Sequence, residues 1–295
     1  MKLANMILRG KAREVNIHPE LPTVTIGERC NALGYKSVRE SVEAGEFGPV
    51  VERALAQVAA GVDIVNVNMV GMKVSEREAL PRAVELIAQA VDVPLSLDFG
   101  DPEALVAALK VAPGRPLINS VNGEERKLGP ILEIAAQYRC PLIALPSDEK
   151  GVPDTAAGRL ACAARMIDRA ASFGITTDDL LFDGICIAVA TDMTAARTTF
   201  ETIRLMRKEL GLNITLGASN VSHGLPKRKT LDSYYLAMAV MAGMNAPITD
   251  LTLPALKWAI LSADVCAGTD EYGMRYIAGF REEEKAKAAA LGVPA

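Results

Sequence analysis

Histidine is nearly missing from this 295-residue chain, with only His18 and His223 present. Two are too few for a multi-histidine metal site or a buried histidine relay. Aromatic residues are also scarce, at 4%, which argues against stacking platforms for single-stranded nucleic acid and against an aromatic carbohydrate groove. The five cysteines stand at 30, 140, 162, 186 and 266 with no C-x-x-C pair, so neither a disulfide framework nor a zinc cage is indicated. A reducing cytoplasm is the simplest compartment. Basic residues do not exceed acidic ones: 32 against 36, a net charge of -4. Nucleic-acid and membrane partners are therefore not expected. Long apolar runs are absent as well. The uncharged stretch from Ser233 to Thr249 contains Gly243, Asn245 and Pro247 and falls short of a bilayer span, and the opening MKLANMILRGK has too short an apolar run for a secretory signal.

What is present is a soluble, cored composition, 50% apolar and 23% charged. The length admits one large domain or two ordinary ones, and no Gly, Ser or Pro linker divides it. Short runs rich in Val, Ile and Leu alternate with segments of helical period. The strand candidates are 23–28, 63–69, 95–99, 117–120, 142–145, 180–183, 214–219 and a short 247–250. Helical stripes lie between them: Val51, Leu55 and Val58; Leu80, Val84, Ile87 and Val91; Ile131, Ile134 and Ala135; Phe200, Ile203 and Met206. Asp101-Pro102 and Gly129-Pro130 read as helix starts. Nearly continuous apolar strands are those of a parallel sheet covered on both faces. Eight βα rounds over about 250 residues predict a single-domain TIM (β/α)8 barrel. A doubly wound sheet is the alternative, but Gly27-Glu28-Arg29-Cys30-Asn31 follows the first strand in place of G-x-G-x-x-G. The barrel is expected over 23–266, after an N-terminal extension at 1–22 and before a helical appendage at 267–295 that includes Arg281 to Leu291.

Barrel chemistry collects where the strands end. Those ends carry Glu28, Asn66, Asn68, Asp98, Asn119, Ser147, Asp183, Ser219, Asn220 and Asp250. Such residues often only cap the next helix. Asp98 is surplus to that need because Asp101 is the cap, Asp183 lies too far before the helix expected near Asp192 or Thr194, and Asn220 lies about ten residues before a helix start at Thr230 to Ser233. Capping is the favoured role for Asp250 and Asn122. Ionised carboxylates only accept hydrogen bonds, whereas amides do both. This set suits a neutral heterocycle with amino and ring N-H donors beside a carbonyl, such as a 2-amino-4-oxo pyrimidine, the edge that a pterin carries. Phosphate is disfavoured, since no glycine-rich cradle follows a strand.

From Thr25 to Leu253 the chain resembles the pterin-binding methyltransferases that move a methyl group between N5 of tetrahydrofolate and the cobalt of a corrinoid, a family related to the folate module of cobalamin-dependent methionine synthase. The resemblance rests on Ile26-Gly27-Glu28-Arg29-Cys30-Asn31, Leu97-Asp98, Ile118-Asn119-Ser120, Asp183, and Leu216-Gly217-Ala218-Ser219-Asn220-Val221-Ser222 followed by Ala237-Met238-Ala239. It implies that Asp98, Asn119 and Asp183 hold the pterin, with Asn68, Ser219 and Glu28 in the same shell, and that Asn220 sits beside N5 as the catalytic group. Two departures stand out. Asn66-Val67-Asn68 occupies a place where the family commonly has an aspartate before the asparagine, and His223 and Lys227-Arg228-Lys229 make the loop after Ser222 basic. His223 reads as a loop residue, and the basic run fits a folate glutamate tail, an acidic partner or a solvated helix start.

The implied chemistry uses tetrahydrofolate or methyltetrahydrofolate as substrate, with transfer in either direction and no metal bound by this chain. N5 is a poor leaving group unless it gains positive charge as the C–N bond breaks. Asn220 is a donor but not an acid, so a proton would reach N5 through water. No D-x-H-x-x-G string is present, so the corrinoid would arrive on a separate, transiently docked protein. A homodimer is implied by the resemblance. A dihydropteroate synthase-like enzyme and a non-catalytic folate-binding protein are the competing readings. The first expects a different late signature from the asparagine that follows Ser219.

Overall fold

The computed structural model describes residues 2–290. A β-hairpin comes first, β1 (Met6–Arg9) paired antiparallel with β2 (Glu14–Ile17). Eight parallel strands follow: β3 (Ile26–Asn31), β4 (Ile64–Asn68), β5 (Leu95–Asp98), β6 (Leu117–Asn122), β7 (Leu142–Leu145), β8 (Leu180–Asp183), β9 (Asn213–Thr215) and β10 (Ile248–Thr249). Their spatial order is β10-β3-β4-β5-β6-β7-β8-β9. Between β9 and β10 the seam is drawn together by a parallel bridge from Gly217 to Ile248 and by the Ile248 N–H donating to the Leu216 carbonyl at 2.8 Å. The fold is a TIM-type α/β barrel.

Ten α-helices occur among the described residues: α1 (Lys36–Glu43), α2 (Gly48–Ala59), α3 (Glu76–Ala90), α4 (Pro102–Val111), α5 (Glu125–Tyr138), α6 (Ala156–Ala171), α7 (Ala195–Leu205), α8 (Arg228–Ala242), α9 (Pro254–Ala267) and α10 (Met274–Ala290). None is long and apolar enough to cross a membrane. The stripe Leu80, Val84 and Ile87 is fully buried, as its spacing requires. Asp101 caps α4 by accepting from the Glu103 N–H at 3.0 Å, which leaves Asp98 free of that task.

The hairpin closes the bottom of the barrel. Met6, Leu8 and Ile17 are fully buried and pack with Ile26, Ile64, Leu117, Ile143 and Leu181, which point inward from the strands. Its edge pairs with Arg115 through reciprocal backbone bonds to Arg9 at 3.1 and 2.8 Å. Glycine is required beside this contact, since Gly114 has φ +70° and a Cβ there would stand 2.3 Å from the Arg9 carbonyl oxygen. Polar side chains complete the seam that the two-residue β10 is too short to make. Asn245 accepts from the Ile214 N–H at 2.9 Å and donates to Asn213 at 2.8 Å, and Asn213 donates to the Ile17 carbonyl at 2.9 Å.

Several local expectations are corrected. Helix α5 begins at Glu125, with Pro130 inside it on the exposed side; the proline forgoes one first-turn bond and does not open the helix. In α2 the buried positions are Val50, Ala54 and Gln57, while Leu55 is 45% exposed. The expected stripe was rotated by one residue because a polar side chain is buried: Gln57 accepts from the Arg29 N–H at 2.9 Å. The seventh strand stops at Thr215, and Ala218–Asn220 form a 3-10 turn. The first strand runs from Ile26 to Asn31, with a register shift between Gly27 and Cys30. Helix α8 starts at Arg228, ahead of the expected Thr230. Of the C-terminal stretch at 267–295, residues 291–295, including Leu291, lie outside the described residues.

Asn245→Ala should destabilise the protein by about 2 to 4 kcal/mol, because it strands the Ile214 N–H and an Asn213 acceptor in the interior. Urea unfolding monitored by circular dichroism checks this; a loss under about 0.5 kcal/mol would mean that the seam does not depend on this amide.

Candidate active site

The strand ends meet in one mouth. On one side, Asp98 closes β5, Asn119 lies in β6, and Asn66 and Asn68 lie in β4. Asn119 donates through Nδ2 to Asn66 Oδ1 at 3.0 Å, and Asn66 donates through Nδ2 to Asp98 Oδ2 at 3.2 Å. This directional chain leaves the Asn119 carbonyl oxygen outside its two bonds, where it can serve as an acceptor. Asn68 accepts from the Val70 N–H at 2.9 Å, which turns its NH2 away from that backbone contact. Burial pushes the Asp98 carboxyl up to about 6, the Asn66 and Asn68 amides pull it down, and Glu76 adds to the rise.

Asp183 closes β8 a quarter-turn further round. It accepts from the Ile185 N–H at 2.7 Å, and burial pushes it up to about 6 against the lowering effect of that bond and of Arg159. Ile185 has φ +58°, a strained backbone for a β-branched residue. The loop is held there from outside. Arg159 on α6, 2% exposed, donates to the carbonyls of Pro153, Gly184 and Ile185 at 3.0 to 3.1 Å, and Thr199 donates to the Ile185 carbonyl at 2.8 Å.

The third group joins β9, β10 and β3. Ser219 Oγ donates to Glu28 Oε2 at 3.2 Å, a contact between residues 191 positions apart. Asn220 is exposed at the mouth, and its amide folds back over Gly217, where a Cβ would stand 2.9 Å from Nδ2. Arg228 donates to the Ser219 carbonyl at 2.8 Å and to Ser222 Oγ at 2.9 Å, clamping the turn that carries Asn220. Glu28 is pushed up to about 7 by burial, with Asp250 and Asp232 raising it further and Ser219 and Arg228 lowering it. Asp250 pairs with Arg29 at 2.5 Å and accepts from the Thr252 N–H at 3.0 Å. It is not the N-cap of α9, which starts at Pro254. Its expected capping role is thus replaced by an ion pair and a local turn, whereas Asn122 does accept, at 3.3 Å, from the N–H of Glu124, the residue before α5.

Of the seven anticipated residues, Asn68, Asp98 and Asp183 end their strands, Glu28 and Asn119 lie within β3 and β6, and Ser219 and Asn220 stand in the 3-10 turn after β9. Two positioning residues escaped the sequence reading. Arg159 shares a helical face with Cys162, Ala163 and Met166, all buried; a charge in an apolar stripe was the available signal. Arg228 sat in a basic run that three explanations fitted. Among the described residues no group of three or more His, Cys, Asp or Glu side chains could hold a metal ion, and His223 lies exposed in the loop before α8.

With this geometry in hand, comparison with known proteins is decisive for the family: residues 27–250 match the model of the pterin binding enzymes. The chain belongs to that family. It is 28% identical over 264 residues to a methylcorrinoid:tetrahydrofolate methyltransferase of Eubacterium limosum, covering 88% of this chain and 96% of that protein. It is 31% identical over 241 residues to methionine synthase of Mycobacterium tuberculosis, covering 76% of this chain but spanning only 20% of that longer protein. Among solved structures, dihydropteroate synthase from Yersinia pestis, with a pterine-sulfa conjugate, superposes with TM-score 0.64 at 18% identity over 88% of this chain and 100% of that one. That likeness concerns the fold.

The raised carboxyls carry a stability consequence. Between pH 4 and 7 the native protein holds protons on Glu28, Asp98 and Asp183 that the unfolded chain has released, so their contribution to unfolding free energy falls as pH rises (a window of roughly pH 4 to 7). Asp98→Asn removes one such group. The melting temperature of this variant should gain on that of the parent protein as pH rises from about 4 to about 6.5 and hold its lead above that. Calorimetric melts across the range test it, and a gap that does not change with pH would contradict the assignment.

Proposed function

We infer that this protein transfers a methyl group between N5 of tetrahydrofolate and the cobalt of a corrinoid carried by a separate protein. The observation that carries this reading is the hydrogen-bonded chain Asn119–Asn66–Asp98 beside Asp183 at the strand ends, with Asn220 exposed in the turn after β9. The name of the Eubacterium limosum relative, aligned over nearly its whole length, supports the same reaction.

In this reading the amino and ring N–H groups of the pterin donate to Asp98 and Asp183, and the Asn119 carbonyl oxygen accepts a further N–H. Asn68 and Ser219 complete the shell, and Glu28 stands behind the Ser219 hydroxyl. Asn66 keeps the edge in register, and Arg159 keeps the loop that carries Asp183 in place. The far end of the bicyclic ring, where N5 lies, then meets Asn220. An amide bond that strengthens as charge changes at N5 lowers the barrier without tightening the ground state. The corrinoid cobalt is the methyl acceptor or donor and reaches N5 through the open mouth, so its protein must dock and leave. A homodimer belongs to the same reading and rests on the resemblance alone, and a cytoplasmic setting rests on the free cysteines. A dihydropteroate synthase-like reaction and a non-catalytic folate binder are the alternatives; methyl transfer from methyltetrahydrofolate to reduced corrinoid by the purified protein separates the proposed reaction from both.

Asp98→Asn and Asp183→Asn should each weaken methyltetrahydrofolate binding by about 1.5 to 3 kcal/mol, roughly 10- to 100-fold, since each removes an ionised acceptor from a buried pair. Affinity of the parent protein should fall as pH drops below about 6, where both carboxyls take up protons. Titration calorimetry at two pH values measures both effects, and near-parental affinity in both variants would remove the pterin-edge assignment.

Asn220→Ala should slow single-turnover methyl transfer by roughly 10² or less while the folate dissociation constant moves little. The residue is exposed at the mouth, so the melting temperature should hold. An unchanged rate at saturating substrate would end its catalytic role.

A further inference from the structure

Methyl transfer from N5 leaves one proton to be supplied. The methyl group passes to reduced corrinoid cobalt, which provides the electron pair of the new bond. The electrons of the broken C–N bond stay on N5, and N5 must gain a proton. Asn220 has none to give, because an amide does not act as an acid in this range. The reading proposed above therefore needs a proton source on the N5 side of the mouth.

The mouth is divided in a way that locates one. The acceptor edge occupies the arc from β4 round to β8, and the remaining arc is made by β9, β10 and β3. A ring gripped by the first arc presents its opposite end to the second, where Asn220, Ser219 and Glu28 lie. Among the described residues Glu28 makes no salt bridge, in contrast to Asp250. Arg29, the adjacent residue, is turned to Asp250 at 2.5 Å, and Arg228 is committed to Ser222 and the Ser219 carbonyl. The one side-chain hydrogen bond to Glu28 among the described residues comes from Ser219 Oγ, the residue next to Asn220. The groups that face Glu28 are Ser219, Asp250, Asp232 on α8, Arg228, Arg29 and Tyr35. Burial favours the protonated carboxyl most, Asp250 and Asp232 add to that, and Ser219 and Arg228 oppose it.

We propose that Glu28 is the proton store for N5, delivering its proton through the Ser219 hydroxyl as the methyl group leaves. When Glu28 is protonated the freely rotating hydroxyl accepts from it and donates toward N5; when Glu28 is ionised the hydroxyl donates to it across the 3.2 Å contact. In the reverse direction, attack by N5 on a methylated corrinoid releases a proton, and ionised Glu28 receives it by the same route. The carboxyl holds its proton up to about pH 7, which matches its proton affinity to neutral conditions.

The inference rests on the folate–corrinoid reading, and the test separates the two. Folate binding by calorimetry and single-turnover transfer from methyltetrahydrofolate to reduced corrinoid are measured from pH 6.5 to 8.5 for the parent protein, Glu28→Gln, Glu28→Asp and Ser219→Ala. With the parent, the saturated rate should fall as pH rises through about 7. Glu28→Gln should be about 10²-fold slower with that inflection gone and folate affinity within about threefold of the parent. Glu28→Asp, which keeps an acid, should recover part of the rate and retain an inflection, and Ser219→Ala should be slowed with the inflection kept. A Glu28→Gln variant with the parental rate and pH profile overturns the proposal. So does one whose folate affinity drops tenfold while its saturated rate is preserved, since Glu28 would then be a ring contact. Should Glu28→Gln fail to fold, an Asp variant with no inflection overturns it equally. Absence of folate binding or of transfer in the parent protein refutes the underlying reading instead.

Discussion

The closure of the sheet between β9 and β10 is the constraint from which the rest follows. Eight parallel strands aim their ends at one point only if the first and last are joined, and here the joining strand is two residues long. Backbone pairing at the seam is short: Ile248 to the Leu216 carbonyl, the Asn245 and Ala246 N–H groups to the Ile214 carbonyl, and the bridge at Gly217. Asn245 supplies the missing bonds with its side chain, and Asn213 extends them to the hairpin beneath. A buried amide pair fully satisfied in this way specifies geometry that apolar packing alone would leave loose. The contact between Ser219 and Glu28 exists because the seam holds.

Above the seam, the site is organised by second-layer residues that never need to touch a ligand. Asn66 sets which atoms of Asn119 and Asp98 face outward, Arg159 and Thr199 hold the strained backbone at Ile185, and Arg228 clamps the turn at Ser219. Arg228 is instructive because it stands at the N-terminus of α8, where a cation opposes the helix dipole. Its two bonds to the turn and the nearby Asp232 offset that unfavourable position. Burial at the mouth raises three carboxyls above their ordinary range, which weakens the ligand-free fold at neutral pH. A ligand that presents N–H donors to them relieves that penalty, so the same desolvation that costs stability favours binding.

The place where the family commonly has an aspartate, and this chain has Asn66, gains a meaning in this frame. An aspartate there would stand beside Asp98 at the distance of the Asn66 bond, 3.2 Å, and two carboxyls that close share a proton. The amide avoids that repulsion and gives the edge a fixed hydrogen-bond direction.

Much of this was legible along the chain. Eight apolar runs at regular spacing specify a parallel barrel because buried parallel strands must be apolar on both faces, and the polar residue that ends each run marks the mouth. Asp98 could be separated from a capping role because Asp101-Pro102 already fills it. The helix at Gly129-Pro130 and the stripe at Val51, Leu55 and Val58 were misread for a common reason: local pattern cannot show that Pro130 faces solvent or that Gln57 is buried to bind the Arg29 backbone. The sequence alone determined the barrel, its family and the side chains at its rim, since these follow from periodicity and local motif. Only the tertiary structure decided that Asn66 orients its neighbours, that Arg159 and Arg228 are clamps, and that Glu28 meets Ser219, because each depends on contacts between residues from separate strands and helices, whose geometry exists only once the barrel has closed.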